Sequence, residues 1–486
     1  PYEEVEVDGQ IELRENSSPN GIVPTLKSFF GRVEHASWVA WKYADDPANP
    51  NFERVIDIDD SYGKYSVSRL PLTKEQVSSF YHVSSKEAFW PILHGFKERY
   101  NYDPVDWPTF RQVNWAFAEA AAEQASDEAV IWVHDYNLWL VPAYLRQLKP
   151  NARIAFFHHT PFPNPDIFNV LPWREEIVKS LLQADAVGFH IPRYSNNFKA
   201  VARSLTSSRT IQEAPTKESM SPRGMALSER MTVQAIRHHD QEVIIDTSPV
   251  GVDTDYIAQC VTAPDVDQKV REIRAELGEC KLIVSVARTD YTKGNIEQLE
   301  AFERLLAKRI DLHGKVRLMH VSVGANRNMT AYEEVQQRIE ELTGRINGTY
   351  GSFEWQPVAL ISTAIPFTEL VSYYRAADVA WITPLADGLN LVASEFCAAR
   401  SDNEGVLVLS EFAGTAVLLD GAIPVNPFSH ASMDSGIEQA LAMDKTEMRD
   451  RMRRLRNRVE AFDINAWVKS QVELFDRLRR KAPQND

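Results

Sequence analysis

A chain of 486 residues, 44% of them hydrophobic and 25% charged, has room for two large domains or about three smaller ones and is too apolar for a disordered protein. Its 53 Lys and Arg against 68 Asp and Glu leave a formal charge of −15, which argues against nucleic acid or an anionic membrane surface as the main partner and leaves small anionic ligands open. No apolar run reaches ~18 residues, the opening PYEEVEVDGQ is too acidic for a signal peptide, and Cys260, Cys280 and Cys397 lack metal-ligand spacing, as expected in a reducing cytoplasm.

In chain order, Ser18-Pro19-Asn20-Gly21-Ile22-Val23-Pro24 places a glycine before a predicted helix, a weak phosphate-loop signal on its own. Trp38, Trp41, Tyr81 and Trp90 fit either a sugar site or the core, and Asp57-Ile58-Asp59 is a metal-type pair remote from the other polar loops. Candidate strands then fall at 129–135, 153–159, 186–190 and 243–247, with 205–240, rich in Ser, Thr, Pro and charge, expected to be a mobile insertion. A fresh set follows Thr247-Ser248-Pro249-Val250-Gly251-Val252, at 281–287, 316–323, 379–385, 405–411 and 422–426. These are continuous apolar runs, as parallel strands buried on both faces require. Helical patterns lie between them, including 295–307 and 368–378, the second opening on Thr368 as a cap. The basic run 451–456 reads as a solvated helix face. The alternation predicts an α/β fold of two Rossmann-like domains facing a cleft, at 1–250 and 251–460, with 461–486 a terminal helix packing back on the first domain.

Ligands of open α/β sheets bind beyond the carboxyl ends of the strands, so polar residues just after strands are the candidates. Arg288-Thr289-Asp290-Tyr291-Thr292-Lys293-Gly294 puts two cations on one loop, suited to clamping a diphosphate; the alternative is a pair of solvated surface cations. Asp387-Gly388-Leu389-Asn390-Leu391-Val392-Ala393-Ser394-Glu395 opens a helix whose free N–H groups suit an anion or sugar hydroxyls, with Asp387 and Glu395 as further acceptors. The alternative makes Asp387 an N-cap and Glu395 helix surface. His134-Asp135 and His158-His159-Thr160 follow neighbouring strands, which brings Asp135 and His159 to one cleft wall. Successive strand residues face opposite ways, so His158 and His159 are ill placed to share a metal.

Together, SPNG at 18–21, WVAW at 38–41, FYHVSSKEAFWP at 80–91, WVHDYNL at 132–138, FFHHTPFP at 156–163, RTDYTKG at 288–294, GRINGTYG at 344–351, TPLADGLNLVASE at 383–395 and LSEFAG at 409–414 resemble the trehalose-phosphate synthase family of retaining nucleotide-sugar glycosyltransferases, of GT-B architecture. The resemblance spans nearly the whole chain. HDYNLWL, the double histidine of FHHTPFP and GFHIPRY resemble most the branch that makes an osmolyte precursor from ADP-glucose and sn-glycerol 3-phosphate. It implies that Arg288 and Lys293 hold the donor diphosphate; Asp387, Gly388, Leu389, Asn390, Leu391 and Val392 the donor glucose and phosphate; and Glu395 the ribose. His159 would contact the glucose, Gly21 would sit near the phosphates, and Asp135, Tyr81, Trp90 and Trp41 would face the acceptor. No metal or other cofactor is implied. In this comparison the family's first strand and its acceptor-phosphate arginine have no counterpart after Pro1. Arg327 stands one position off the family's other acceptor-phosphate arginine, and Ala386 and Ser394 replace basic residues of the trehalose-forming branch. Competing expectations are glucose 6-phosphate as acceptor, a catalytically silent nucleotide-sugar sensor, or an epimerase; a homo-oligomer is left open.

Overall fold

Continuous apolar runs require burial on both faces. That requirement sets two six-stranded sheets at the centre of the computed structural model, which describes residues 2–7, 10–15, 26, 29–30, 35–60, 63–324 and 330–480. The chain opens with an antiparallel hairpin, β1 (Tyr2–Val7) and β2 (Gln10–Glu15). A small sheet follows, β3 (Ser37–Tyr43), β4 (Val55–Asp60) and β5 (Gly63–Leu72), in the order β3-β5-β4.

The first large sheet holds β6 (Val130–His134), β7 (Arg153–His158), β8 (Ala186–Phe189), β9 (Arg209–Pro215), β10 (Met231–His238) and β11 (Gln241–Thr247) in the order β6-β7-β8-β11-β10-β9. Its first four positions are parallel; β10 and β9 extend it antiparallel. The stretch 205–240, expected to be a mobile insertion, instead contributes two strands to this sheet. Its polar composition suits the end of the sheet: β9 is the edge strand, with Arg209, Gln212 and Glu213 exposed, and β10 beside it exposes Met231 and Gln234 while burying Val233 and Ile236.

The second sheet holds β12 (Lys281–Arg288), β13 (Val316–Val323), β14 (Val358–Ile361), β15 (Val379–Ile382), β16 (Val406–Ser410) and β17 (Ile423–Val425). It is wholly parallel, in the order β14-β13-β12-β15-β16-β17. Its direction of progression reverses between β12 and β15, the doubly wound topology whose crevice accepts ligands at that switch. The helix Asn295–Lys308 buries Leu299, Phe302 and Leu306 as its spacing predicts. The helix Phe367–Ala376 starts without the expected Thr368 cap: Pro366 holds the N-cap position, and Thr368 lies inside the helix.

The last helix, Ile464–Arg480, returns to the first sheet. Trp467 lies edge-on to Phe157 with ring centroids 5.5 Å apart, and Leu474 and Leu478 pack with Ala155 and Ala186. Where the chain crosses between sheets, Ile464 N–H donates to Val252 O at 3.0 Å. A Cβ on Gly251 would strike the backbone of Phe462 and Asp463, so the outgoing and returning segments run against each other. The basic run 451–456 lies on the helix Lys445–Ala461, where Arg451 and Arg453 pair with Glu447 and Asp450 on its surface. Among the described residues no helix is long and apolar enough to cross a membrane.

Candidate active site

Two loops meet at the switch of the second sheet. After β12, Asp290 Oδ1 accepts from Thr292 N–H at 2.9 Å and Lys293 N–H donates to Asp290 O at 3.0 Å, folding the loop back on itself. Gly294 closes it at φ 67°, and a Cβ there would collide with Thr383 O of the neighbouring loop. After β15, Leu385 N–H donates to Thr292 O at 2.8 Å, and Lys293 Nζ reaches Asp387 Oδ2 at 2.7 Å with both side chains largely buried. Asn390 Nδ2 donates to the same oxygen at 3.1 Å, while Asn390 Oδ1 caps the helix Leu391–Ala399 through Ala393 N–H. Asn390, not Asp387, is thus the cap. Burial opposes ionisation of Asp387 but is outweighed by Lys293 and Asn390, so its carboxyl is held below the usual range. Arg288, exposed at the end of β12, has no ion-pair partner among the described residues; its guanidinium lies 5.6 Å from the Trp90 ring centroid. Glu395, one to two turns into the capped helix, accepts from Tyr374 O–H at 3.2 Å, and burial raises its carboxyl to about 7.

The first sheet presents the opposing edge. Asp135, just past β6, adopts φ 66°, ψ 169°, a conformation nearly reserved for glycine. It is held there by Asp135 N–H to Phe157 O at 2.8 Å and by His159 N–H to its Oδ1 at 3.2 Å. Burial raises its carboxyl to about 6. His158 and His159 diverge as strand geometry requires: His158 packs among Trp139, Phe162 and Phe189, while His159 stacks on His134, with His134 Nδ1 and His159 Nε2 3.0 Å apart. His190, past β8, lies 5.4 Å from the His159 ring. Burial holds all four imidazoles far below their usual pKa, to about 3 for His134 and His158 and about 4 for His190, so the array is neutral at pH 7.

The two edges touch. Tyr194 O–H donates to Asp387 O at 3.0 Å, and a Cβ on Gly388 would lie 2.5 Å from His159 O. Gly388 is needed for this close approach of two backbones; its φ is not left-handed. Between the edges stands the segment Ser78–Phe89, wound with i→i+5 hydrogen bonds and continued by the turn Trp90–Leu93. Ser84 and Ser85 hydroxyls donate to Ser79 O and Phe80 O, each five residues back, which stitches the wide helix. On an α-helix, at about 100° per residue, Tyr81 and Lys86 would diverge by about 140°; the wider winding brings them onto one side. Lys86 Nζ lies 4.3 Å from the Trp90 ring centroid and 6.0 Å from that of Tyr81.

A family model described as glycosyltransferase family 20 matches residues 2–477. The chain belongs to that family. It is 49% identical over 468 residues to a glucosylglycerol-phosphate synthase of Synechocystis, covering 96% of this chain and 94% of that one. It is 37% identical to a trehalose-6-phosphate synthase of a Mycobacterium, over 96% and 91% of the two chains. Among solved structures, trehalose-6-phosphate from E. coli bound with UDP-2-fluoro glucose superposes with a TM-score of 0.85 at 27% identity, over 97% of this chain and 98% of that one. The two facing Rossmann-like domains are accordingly the GT-B architecture, and the protein is a glycosyltransferase.

Within this family 20 chain, the structure brings Arg288, Lys293, Asp387, Gly388, Asn390, Asp135, His159, Tyr81 and Trp90 to one interface. Leu389, Leu391 and Val392 lie in the capped loop and first helical turn beside them. Trp41 sits on β3, its ring 5.0 Å from that of Tyr43, and Trp38 packs near Phe30. Gly21 and Arg327 lie outside the described residues. The sequence reading gave no role to Lys86 or His190, and named His134 only within the strand-end group with Asp135. His190 ends a strand and could have been found by that rule; Lys86 could have been found from Trp90, four residues on and on the same helical face, but not from Tyr81, from which an α-helical period turns it away.

Proposed function

We propose that the protein transfers glucose with retention from ADP-glucose to sn-glycerol 3-phosphate, giving 2-O-(α-D-glucosyl)-sn-glycerol 3-phosphate and ADP, for compatible-solute synthesis in the cytoplasm. The observation that carries the reading is the apposition of the Arg288–Lys293 loop and the Asp387 loop to Asp135 and His159 across the interdomain cleft. In this division residues 1–250 form the acceptor half and 251–460 the donor half, with the segment from 461 onward packed on the first. The choice of acceptor is supported by the higher identity to a glucosylglycerol-phosphate synthase than to a trehalose-6-phosphate synthase.

As the anomeric C1–O bond to the diphosphate breaks, negative charge grows on the departing oxygen. Arg288 stabilises it with a guanidinium that forms no ion pair among the described residues, and Lys293 with the donors left free by Asp387. Asp387 and the backbone of 388–392 orient the donor sugar and phosphate, and Glu395 accepts from the ribose. Neutral His159 hydrogen-bonds the glucose. The glycerol 2-hydroxyl attacks from the leaving-group side, forms the new C1–O bond and passes its proton to the leaving phosphate oxygen. Asp135 orients that hydroxyl; Tyr81 and Trp90 wall the acceptor.

The test is a matrix of ADP-glucose and UDP-glucose against sn-glycerol 3-phosphate and glucose 6-phosphate, with products identified. Glucosylglycerol phosphate from ADP-glucose is the expected product. Trehalose phosphate alone would overturn the acceptor assignment, and absence of turnover in every combination would make the protein a nucleotide-sugar sensor.

A further inference from the structure

Lys86 is a charged side chain in the cleft that forms no ion pair among the described residues; Asp290 and Asp135 act on it only at longer range. Its ammonium rests 4.3 Å over Trp90, the same ring that Arg288 approaches at 5.6 Å. One indole face attracts a cation modestly; two cations on one ring repel each other. The groups facing Lys86 are Arg288, Lys293 and Asp290 from the second half and Asp135 from the end of β6; the two carboxylates favour the charged ammonium, but neither forms an ion pair with it. Asp290 already lies under the influence of Arg288 and Lys293, and Asp135 accepts from His159 N–H. Burial first, then Arg288, lowers the Lys86 ammonium to about 8. Such a cluster is completed by an anion. Lys86 shares its side of the wide helix with Tyr81 and Trp90, in the first half of the molecule, whereas the cations assigned to the diphosphate come from the second.

We infer that Lys86 binds the phosphate of the acceptor, anchoring it against Trp90 and Tyr81 beside Arg288. The inference rests on the proposed reading only in taking the acceptor to be phosphorylated.

The experiment compares wild type with Lys86→Met, which keeps the apolar stem against Trp90, and with Lys86→Arg. The wild-type acceptor is fixed first by product identification: use of glucose 6-phosphate instead of sn-glycerol 3-phosphate would overturn the proposed function, and Lys86 is then judged on that acceptor. Lys86→Met is expected to raise the acceptor KM at least tenfold, to leave the donor KM within twofold, and to weaken inorganic phosphate binding to the ADP complex measured by calorimetry; Lys86→Arg recovers part of each loss. In wild type the acceptor KM rises above pH 8, and in Lys86→Arg that rise disappears. An acceptor KM and phosphate affinity within twofold of wild type in Lys86→Met, or equal losses for donor and acceptor, would overturn the assignment and leave Lys86 as packing on Trp90.

Discussion

Arg288 and Lys293 sit on one loop with different neighbours, and the difference sets what each substitution should do. Lys293 is paired with a buried carboxylate, so its removal strands Asp387 and mixes stability with activity. Arg288 is exposed and unpaired among the described residues, so Arg288→Ala isolates the chemistry. We expect kcat/KM to fall by about 10²–10³, or roughly 3–4 kcal/mol, with the melting temperature unchanged within about 2 °C; near-normal turnover would remove Arg288 from the diphosphate. At this scale the sequence reads well where one rule applies: polar residues just after a buried strand face the cleft, and Asp135, His159, Arg288 and Asp387 all obey it. What cannot be read is conformation. The strained backbone of Asp135 and the neutral stack of His134 on His159 depend on which strands are neighbours, which no local pattern records.

Secondary elements show the same division. Both parallel sheets are legible because burial on two faces leaves continuous apolar runs. β9 and β10 escape notice because neither is a continuous apolar run, and β14 because it is an edge strand that buries only Val358. The wide helix at Ser78–Phe89 hides the pairing of Lys86 with Tyr81 for a geometric reason, since a period of 3.6 is assumed when faces are assigned. Loop elements carry their own prediction. A methyl group on Gly388 would press on His159 O and the Thr160 backbone, which belong to the other half. Gly388→Ala should therefore spread the cleft and lower kcat/KM on the order of a hundredfold, with little loss of secondary structure by circular dichroism. Small-angle scattering of the variant should show a more open molecule; an unchanged profile with full activity would mean that the two edges need not touch during turnover.

Across the whole molecule, a formal charge of −15 would repel two polyanionic substrates, while under the proposed function Lys86, Arg288 and Lys293 attract them locally. The repulsion acts over longer distances and is screened first. We expect kcat/KM to rise as ionic strength increases from about 10 mM to about 150 mM and to fall at higher salt, when the cleft cations are screened as well. A monotonic fall from the lowest salt would show that the global field plays no part.

The molecule is joined across its middle twice, once outward through Val250-Gly251-Val252 and once back through Phe462-Asp463-Ile464, and the absence of a side chain on Gly251 lets these lie in direct contact. A single strap would permit twisting and sliding. A doubled one resists both, so we expect any opening of the cleft to be a book-like swing whose spine is this pair of segments and whose outer margin is the contact between Gly388 and His159.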